Sequence, residues 1–274
     1  MMVEPFRAED CAAFLKMAVA EGWVAEPWEL AFLLEAFPEG CLCMRGSDGT
    51  GIAFVTSLRH EKSGWIGNLI VAEGFRGKGI GDELFRSALQ ALQAAGVGTF
   101  WLTASKMGRA LYEGYGFSSI DSIVRWVGSG RQRHPSYSRH SEHPSAASPV
   151  ISVDRHCWGD LRKSLLAATI GRGLLAREES GFIVVQPCGE ALQLGPFSAL
   201  DSGTAEVLLE KALGTIPLGK KIFLDAPVSN RSALRLFNRK GMRIAGRNEL
   251  MYAGAKPDYR PEMLYGLATM GSCG

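Results

Sequence analysis

The sequence predicts an α+β protein of mixed α/β type, in which two related domains follow one another and each forms a mixed, mostly antiparallel twisted sheet flanked by helices. Three observations predict this class. In the first half, strand patterns come first as a meander and then alternate with helix patterns. The apolar periodicity stops at a polar stretch near the middle of the chain, and similar segments lie on both sides of that stretch.

Length and composition agree with two globular domains. The chain has 274 residues, of which 46% are hydrophobic, so it can bury two cores of ordinary size. The formal net charge of +2 argues against a protein that binds nucleic acid over its whole surface. The 6 cysteines include no C-x-x-C pair, so we expect Cys41 and Cys43 to be buried thiols and predict no metal site.

Nothing in the sequence suggests export or insertion into a membrane. The first residues contain no basic segment followed by an apolar run, and no apolar run reaches the length of a membrane span. We therefore expect a soluble cytoplasmic protein that has no membrane partner.

Hydrophobic periodicity predicts the elements of the first half in order. Patterns with the helical repeat predict helices at 9–21, 28–37, 81–95 and 106–115. Short apolar runs between turn residues predict strands at 41–44, 52–58, 65–71, 99–102 and 120–127. The third helix has Leu84, Ala88 and Leu92 on one face, and Gly96 ends it.

The polar stretch divides the chain into a domain at 1–128, a linker at 129–149 and a second domain at 150–274. Ser, Pro, Arg and His dominate the linker, which has too few apolar residues to form a core. Its histidines, His134, His140 and His143, follow no standard zinc spacing. A solvated linker is therefore predicted, and its single aromatic residue, Tyr137, makes a nucleic-acid site a weak alternative.

The two domains read as diverged copies of one fold. Seven positions separate Ser105 from Tyr112, and seven separate Asn230 from Phe237 at the matching place in the second half. Upstream of each pair, the apolar pattern at 84–89 resembles the pattern at 208–213.

A glycine-rich loop gives the first half its clearest functional signal. After the strand that ends in Leu69, Ile70 and Val71, the residues Arg76, Gly77, Lys78, Gly79, Ile80 and Gly81 lead directly into a helix. Glycines allow a close backbone approach, and amides at a helix N-terminus attract anions, so this loop predicts a diphosphate site. Its spacing matches neither the dinucleotide-binding nor the Walker A loop, and a glycine-rich turn without a ligand is the remaining alternative.

These residues carry a resemblance to a known family. The segment from Val71 to Leu84 resembles the acetyl-CoA signature of the GNAT N-acetyltransferase superfamily, and the segment from Leu111 to Phe117 resembles a later motif of that superfamily. The resemblance covers most of residues 1–128. The whole chain is similar to bacterial tandem-GNAT proteins whose second domain is degenerate.

The resemblance implies roles for several residues. The backbone of Leu69, Ile70 and Val71 would pair with the pantetheine arm of acetyl-CoA, and residues 76–81 would hold its pyrophosphate. Tyr112 matches the family tyrosine that protonates the departing CoA thiolate, although a packed aromatic residue is the alternative for this position. Two positions depart from the family pattern: Glu73 replaces a common proline, and Ser105 replaces an asparagine that contacts the cofactor.

The second half lacks the features that would bind the cofactor. The stretch from Gly195 to Leu208 is four positions shorter than its counterpart from Gly67 to Leu84, and the missing positions fall in the loop. Asp201 lies where the first half has two cations, and Phe237 replaces the tyrosine. We therefore expect one active domain, and a second domain that either is structural or closes the acceptor cleft of the first.

The resemblance implies an acetyl-CoA-dependent N-acetyltransferase in which a small-molecule or peptide amine attacks the thioester directly. A protein that binds acyl-CoA without catalysis, as a sensor or assembly factor, is the alternative. The sequence leaves the general base open among Glu26, Glu61, Asp225 and a water chain. It also leaves open whether the protein is a monomer or a homodimer. Residues that could line the cleft, with no roles assigned, are Trp23, Trp28, Trp158 and Asp160.

Overall fold

The computed structural model describes residues 2–131 and 147–274. The linker residues for which a zinc or nucleic-acid site was weighed, His134, Tyr137, His140 and His143, lie outside the described residues. Within the described residues, no cluster of His, Cys, Asp and Glu could hold a metal ion. A search of the same residues finds no helix long and apolar enough to cross a membrane.

The first half contains the elements that the periodicity predicts, with small shifts of their ends. Its elements are β1 (Val3–Pro5), α1 (Cys11–Ala20), α2 (Pro27–Ala36), β2 (Leu42–Arg45), β3 (Gly51–Arg59), β4 (Ser63–Val71), α3 (Ile80–Ala94), β5 (Thr99–Ala104), α4 (Arg109–Glu113) and β6 (Ser118–Ser129). Strand β1 was not predicted, and α4 is shorter than the predicted helix at 106–115. Cys41 and Cys43 are buried free thiols, as predicted.

The second half repeats much of this order. Its elements are α5 (Ala147–Trp158), α6 (Lys163–Arg172), β7 (Leu174–Glu178), β8 (Gly181–Cys188), β9 (Ala191–Ala199), α7 (Ser202–Thr215), β10 (Lys221–Pro227), α8 (Arg231–Arg239), β11 (Arg243–Gly254) and β12 (Leu264–Gly266). Each half therefore has a long helix after its meander, α3 in the first half and α7 in the second.

One continuous sheet joins the two halves through exchanged strands. Its order is β1-β2-β3-β4-β5-β11-β6-β10-β9-β8-β7, with β12 paired to β9. Strand β11 of the second half lies between β5 and β6, and β6 of the first half lies between β11 and β10. Each half thus contributes its last long strand to the other half, an arrangement that the sequence did not indicate.

An aromatic cluster also packs the halves together. The ring of Trp158, at the end of α5, lies 5.1 Å from Trp101 and 6.3 Å from Trp65, measured between ring centroids. Two residues later, the Asp160 carboxylate accepts a hydrogen bond of 2.8 Å from the amide of Ser63 at the start of β4. Trp158 and Asp160 therefore support the cleft strands from behind and do not line the cleft.

Strands β4 and β5 separate after a short parallel contact. They pair only through 63–65 and 99–101, so the later residues of both strands diverge. The segment after β12 lies against this opening, because the Thr103 hydroxyl donates to the Met270 carbonyl oxygen at 2.6 Å and the Trp65 indole donates to the Gly271 carbonyl oxygen at 3.4 Å. A Cβ atom on Gly67 would lie 2.3 Å from that same Gly271 oxygen, so this approach requires glycine.

Candidate active site

A single cavity of about 740 Å³ lies where β4 and β5 separate. One end is formed by the loop before α3, and the other end contains side chains from both halves of the chain. Residues of the second half that line it include Arg172, Gln186, Cys188, Gln193, Asn248 and Ser272. The second half therefore forms part of the wall of the cavity.

The loop end presents backbone amides to the cavity. Gly77 and Gly79 have φ angles of +73° and +78°, a region that other residues adopt only with strain, and Gly79 is the N-cap of α3. Among the residues that the structure describes, no side chain caps this helix N-terminus. Its first amides are thus left for an external acceptor and carry the positive end of the helix dipole.

The two cations of the loop are held by other groups of the protein. The Arg76 Nε donates to the Val71 carbonyl oxygen at 2.9 Å, and its guanidinium is paired with Glu21. The Lys78 ammonium donates to the Gly74 carbonyl oxygen at 2.9 Å. Arg76 lines the cavity and Lys78 does not. Since Glu21 offsets the charge of Arg76, the amides are the main donors that this end offers to an anion.

The edge of β4 beyond its contact with β5 lines the middle of the cavity. Leu69, Ile70 and Val71 all border the cavity there. The strand is irregular just before them: Asn68 has a φ of +56°, and the pairing with β3 shifts between Phe54 and Thr56. This bulge turns the edge of β4 away from β5, and the Asn68 amide is fixed by a hydrogen bond of 3.1 Å to the Thr56 hydroxyl.

Tyr112 borders the same cavity from α4. Its ring packs against Phe85 of α3 with a centroid distance of 4.9 Å. Burial raises the pKa of the Tyr112 phenol to about 12, so the hydroxyl stays protonated at neutral pH. Ser105 and Gly108 lie beside it in the lining, and the Ser105 hydroxyl accepts from the Gly108 amide at 3.3 Å.

Glu29 is the buried carboxyl group of the cavity. It lies in α2, is 5% exposed, and accepts a hydrogen bond from the Ser272 hydroxyl. The same hydroxyl lies 3.4 Å from the Asn68 side-chain oxygen, so Ser272 links Glu29 to the bulge. Burial raises the pKa of Glu29 to about 7, with Glu26 also raising it, while Ser272, Arg172 and Arg125 lower it. This carboxyl can therefore bind and release a proton near neutral pH.

Two arginines occupy the wall near Glu29. Arg125 of β6 is held in a bidentate ion pair, its Nε and Nη2 each 2.7 Å from an oxygen of the fully buried Asp225. The Gln193 amide donates to the same carboxylate at 3.1 Å. Arg172 lies over the Trp28 ring at 4.0 Å and donates through Nη1 to Gln186 at 3.3 Å.

The structure brings most of the predicted site residues together. Leu69, Ile70, Val71, Arg76, Gly77, Gly79, Ile80, Gly81, Ser105 and Tyr112 all line the cavity, as do Trp23 and Trp28. The three residues considered as the general base do not have this position. Glu61 is exposed and lies 4.0 Å from Arg155, Asp225 is paired with Arg125, and Glu26 does not border the cavity.

Sequence reasoning missed Glu29, Arg125, Arg172 and Ser272. The only signal for Glu29 was its place beside the apolar stripe of α2, next to the buried Leu30. Arg125 lies between the buried Val124 and Trp126, which by itself indicates an ordinary strand residue. Each of these side chains reaches the cavity only through tertiary contacts.

The corresponding place in the second half is closed. The Asp201 side chain caps α7 by accepting from the Thr204 amide at 2.9 Å, so the protein's own carboxylate occupies the position of an anion. Phe237 is fully buried and its ring lies 5.7 Å from Trp126. Neither residue offers the chemistry of the loop or of Tyr112.

Comparison with protein families gives one match in each half. The family described as "Acetyltransferase (GNAT) family" matches residues 8–117, and the one described as "Acetyltransferase (GNAT) domain" matches residues 150–266. A search of curated protein sequences finds no significant match.

Solved structures share the fold over nearly the whole chain. A candidate acetyltransferase from Pyrococcus horikoshii has a TM-score of 0.85 at 23% identity, covering 100% of this chain and 95% of its own. A GCN5-related N-acetyltransferase from Sphaerobacter thermophilus has a TM-score of 0.67 at 17% identity, covering 94% and 98%. A tandem GNAT protein from the clavulanic acid biosynthesis pathway has a TM-score of 0.61 at 16% identity, covering 93% and 99%.

Proposed function

Since the chain belongs to the GNAT acetyltransferase superfamily and carries two GNAT domains in tandem, we propose that it is an acetyl-CoA-dependent N-acetyltransferase whose first half holds the cofactor. The observation that carries this proposal is the continuity of one cavity from the loop at 76–81, past Tyr112, to Glu29. A long thioester and an amine acceptor can meet in a cavity of this kind.

The residues that border the cavity fit acetyl-CoA. The amides of Gly77, Gly79 and Gly81 would bind the pyrophosphate, because the uncapped start of α3 and the positive φ angles leave these donors unobstructed. The free edge of β4 at 69–71 would pair with the amides of the pantetheine arm as an added strand does. The thioester would then lie between Tyr112 and Glu29.

The transfer forms a C–N bond and breaks the C–S bond. The amine nitrogen attacks the thioester carbonyl carbon, and the tetrahedral intermediate expels the CoA thiolate. An ammonium acceptor loses two protons overall: one ends on the CoA sulfur and the other is released to solvent. Catalysis therefore needs one group that takes a proton from the nitrogen and one that stabilises the negative charge on the leaving sulfur.

Tyr112 serves the leaving sulfur. A phenol with a pKa near 12 remains protonated, so it is available as a donor at every physiological pH. Full transfer of its proton to a thiolate is unfavourable by roughly three pKa units, because the conjugate acid of the thiolate has a pKa of about 8.5. Tyr112 therefore acts chiefly by donating a hydrogen bond to the developing negative charge, and solvent supplies the final proton.

Glu29 serves the attacking nitrogen. Its carboxylate form accepts a proton as the C–N bond forms, when the nitrogen becomes strongly acidic. The ionised fraction of Glu29 grows as pH rises through about 7, so kcat/KM should rise over the same interval. The charged and titratable groups that face it are Glu26 on its own segment, Arg125 and Arg172 from the neighbouring elements, and the thiols of Cys188 and Cys273.

Glu29 also bears on the alternative function. A non-catalytic acyl-CoA-binding protein would need the loop and the β4 edge but no proton acceptor. A buried carboxyl group within the cavity carries a free-energy cost that binding of the cofactor alone does not require. Its presence favours the enzyme over the sensor.

Calorimetry and an activity assay together test the proposal. Titration of the full chain with CoA should show one site per chain, and release of free CoA thiol from acetyl-CoA should depend on an added amine. Absence of CoA binding would contradict the cofactor assignment. Binding without transfer to any amine or peptide N-terminus would support the sensor instead.

A further inference from the structure

We propose that the acceptor is an amine that also bears a carboxylate, such as an amino acid, and that Arg172 and Arg125 bind this carboxylate while the amine lies toward Glu29. The inference rests on the proposed function and concerns the same cavity. The inference rests on two guanidinium groups that the protein holds in fixed positions while some of their N–H donors have no partner within the described residues.

Arg172 offers the larger set of free donors. Its Nη1 donates to the Gln186 side-chain oxygen at 3.3 Å and to the Pro187 carbonyl oxygen at 3.2 Å. Among the described residues, its Nε and Nη2 have no hydrogen-bond partner. This edge of a guanidinium is the one that matches the two oxygens of a carboxylate.

Trp28 fixes the plane of that guanidinium. The Arg172 group lies 4.0 Å from the centroid of the Trp28 ring, within cation–π distance. Trp28 also borders the cavity. Stacking restricts rotation of the long side chain, so less entropy is lost when a carboxylate binds.

Arg125 adds a second fixed donor. Asp225 occupies its Nε and Nη2, while the Nη1 has no partner in the part of the chain that the structure describes. The Phe223 ring lies 5.1 Å from the guanidinium carbon. The ion pair with a fully buried carboxylate thus neutralises Arg125 and also locks its direction.

Both signs of charge are present at this end of the cavity. Asp225 offsets the charge of Arg125, while Arg172 lies near the carboxyl groups of Glu26 and Glu29. An amino acid likewise presents one charge of each sign, so its carboxylate can meet a guanidinium while its ammonium meets a carboxylate.

The test compares acceptors with and without a carboxylate. Release of CoA thiol would be measured with L-amino acids, with their matched carboxamides, and with putrescine and spermidine as polyamines. The proteins would be wild type, Arg172→Gln, Arg125→Gln and the control Arg155→Gln, which removes an exposed arginine of α5 that does not line the cavity. CoA affinity of each protein would be measured by calorimetry.

We expect free amino acids to be better acceptors than their carboxamides. Arg172→Gln should raise KM for the free acid by about tenfold or more, as expected for a lost hydrogen bond to a charged group, and should leave KM for the carboxamide nearly unchanged. CoA affinity and the behaviour of Arg155→Gln should match wild type. Since Arg125→Gln leaves Asp225 unpaired and could unfold the protein, Arg172→Gln carries the test.

Two results would overturn the inference, and they differ in meaning. Transfer to carboxamides or polyamines as efficient as transfer to free amino acids, or equal effects of Arg172→Gln on both, would refute the carboxylate site and leave the N-acetyltransferase intact. Binding of CoA without transfer to any acceptor would refute the proposed function and the inference together.

Discussion

The Ser272 hydroxyl donates a hydrogen bond to the Glu29 carboxylate, although 243 residues separate the two in the chain. Glu29 belongs to the first GNAT domain and Ser272 to the segment after the last strand of the second. The carboxyl group proposed as the proton acceptor is thus placed by both halves together. A tandem arrangement gives this contact within a single chain.

The buried position of Glu29 predicts a cost in stability at high pH. Its folded-state pKa of about 7 lies above the ordinary value of 4.5, so between these values the folded state binds more protons than the unfolded state. The free energy of unfolding therefore falls as pH rises through this range. Glu29→Gln removes the charge, and at pH 8 it should be more stable relative to wild type than at pH 5, by about 2.5 kcal/mol.

Urea unfolding of both proteins at pH 5 and pH 8 measures this difference. The control is Glu35→Gln, which makes the same change at an exposed position of α2. An equal stability difference between Glu29→Gln and wild type at both pH values would mean that Glu29 is ordinary in its titration.

Removing the Tyr112 hydroxyl should slow the chemical step. Tyr112→Phe keeps the ring that packs on Phe85 but loses the donor to the leaving sulfur. We expect kcat to fall by about 10² to 10³, as for the loss of one hydrogen-bond donor to a developing negative charge, with the affinity for CoA changed less than twofold. Steady-state kinetics measure kcat, and calorimetry measures the affinity for CoA. An unchanged kcat would assign Tyr112 to packing alone.

The loop before α3 should tolerate no side chain at Gly79. Its φ of +78° makes Gly79→Ala strained by about 1–2 kcal/mol, and relief of the strain would turn the amides away from the pyrophosphate. We expect the Kd for CoA to rise by about tenfold. Gly241→Ala is the matched control, because Gly241 has a φ of +71° in the second half and nothing lies near its added Cβ.

The control should lose similar stability and keep the affinity of wild type for CoA. If both variants weakened CoA binding equally, general destabilisation would account for the effect. A weakened Gly79→Ala with an unchanged Gly241→Ala would support the assignment of the loop.

Breaking a buried ion pair should lower the free energy of unfolding far more than breaking an exposed one. Asp154 accepts hydrogen bonds of 3.0 Å and 2.6 Å from Arg162, and both side chains are essentially inaccessible to solvent. Asp154→Ala leaves Arg162 buried without a counter-charge and should lower the free energy of unfolding by about 3–5 kcal/mol. Glu113→Ala breaks the pair with Arg109, in which both side chains are 48% exposed, and should cost less than about 0.5 kcal/mol.

The end of the cavity proposed to hold the cofactor could be predicted from sequence because its features are local. Gly77, Gly79 and Tyr112 lie in a loop, at a helix start and in a short helix that the surrounding pattern itself predicts. The loss of the loop in the second half could be inferred in the same way. The structure agrees, since the Asp201 side chain caps α7 where α3 is uncapped.

The acceptor half could not be predicted, since its residues come from distant segments. Glu29 looks like any acid beside an apolar stripe until Ser272 is placed against it. Arg125 looks like any strand arginine until β10 brings Asp225 beside it. No short motif marks such residues, because their burial and their partners depend on which strands pair.

The amino-acid sequence by itself determined the mixed α/β elements, the duplication and the glycine-rich loop before a helix, because periodicity, turn chemistry and glycine placement act over a few neighbouring residues. Only the tertiary structure decided that β6 and β11 are exchanged and that Glu29, Arg125 and Arg172 border one cavity. The physical reason is that strand pairing and the burial of charged groups depend on the packing of the whole chain, because the partners of each group come from distant parts of the sequence.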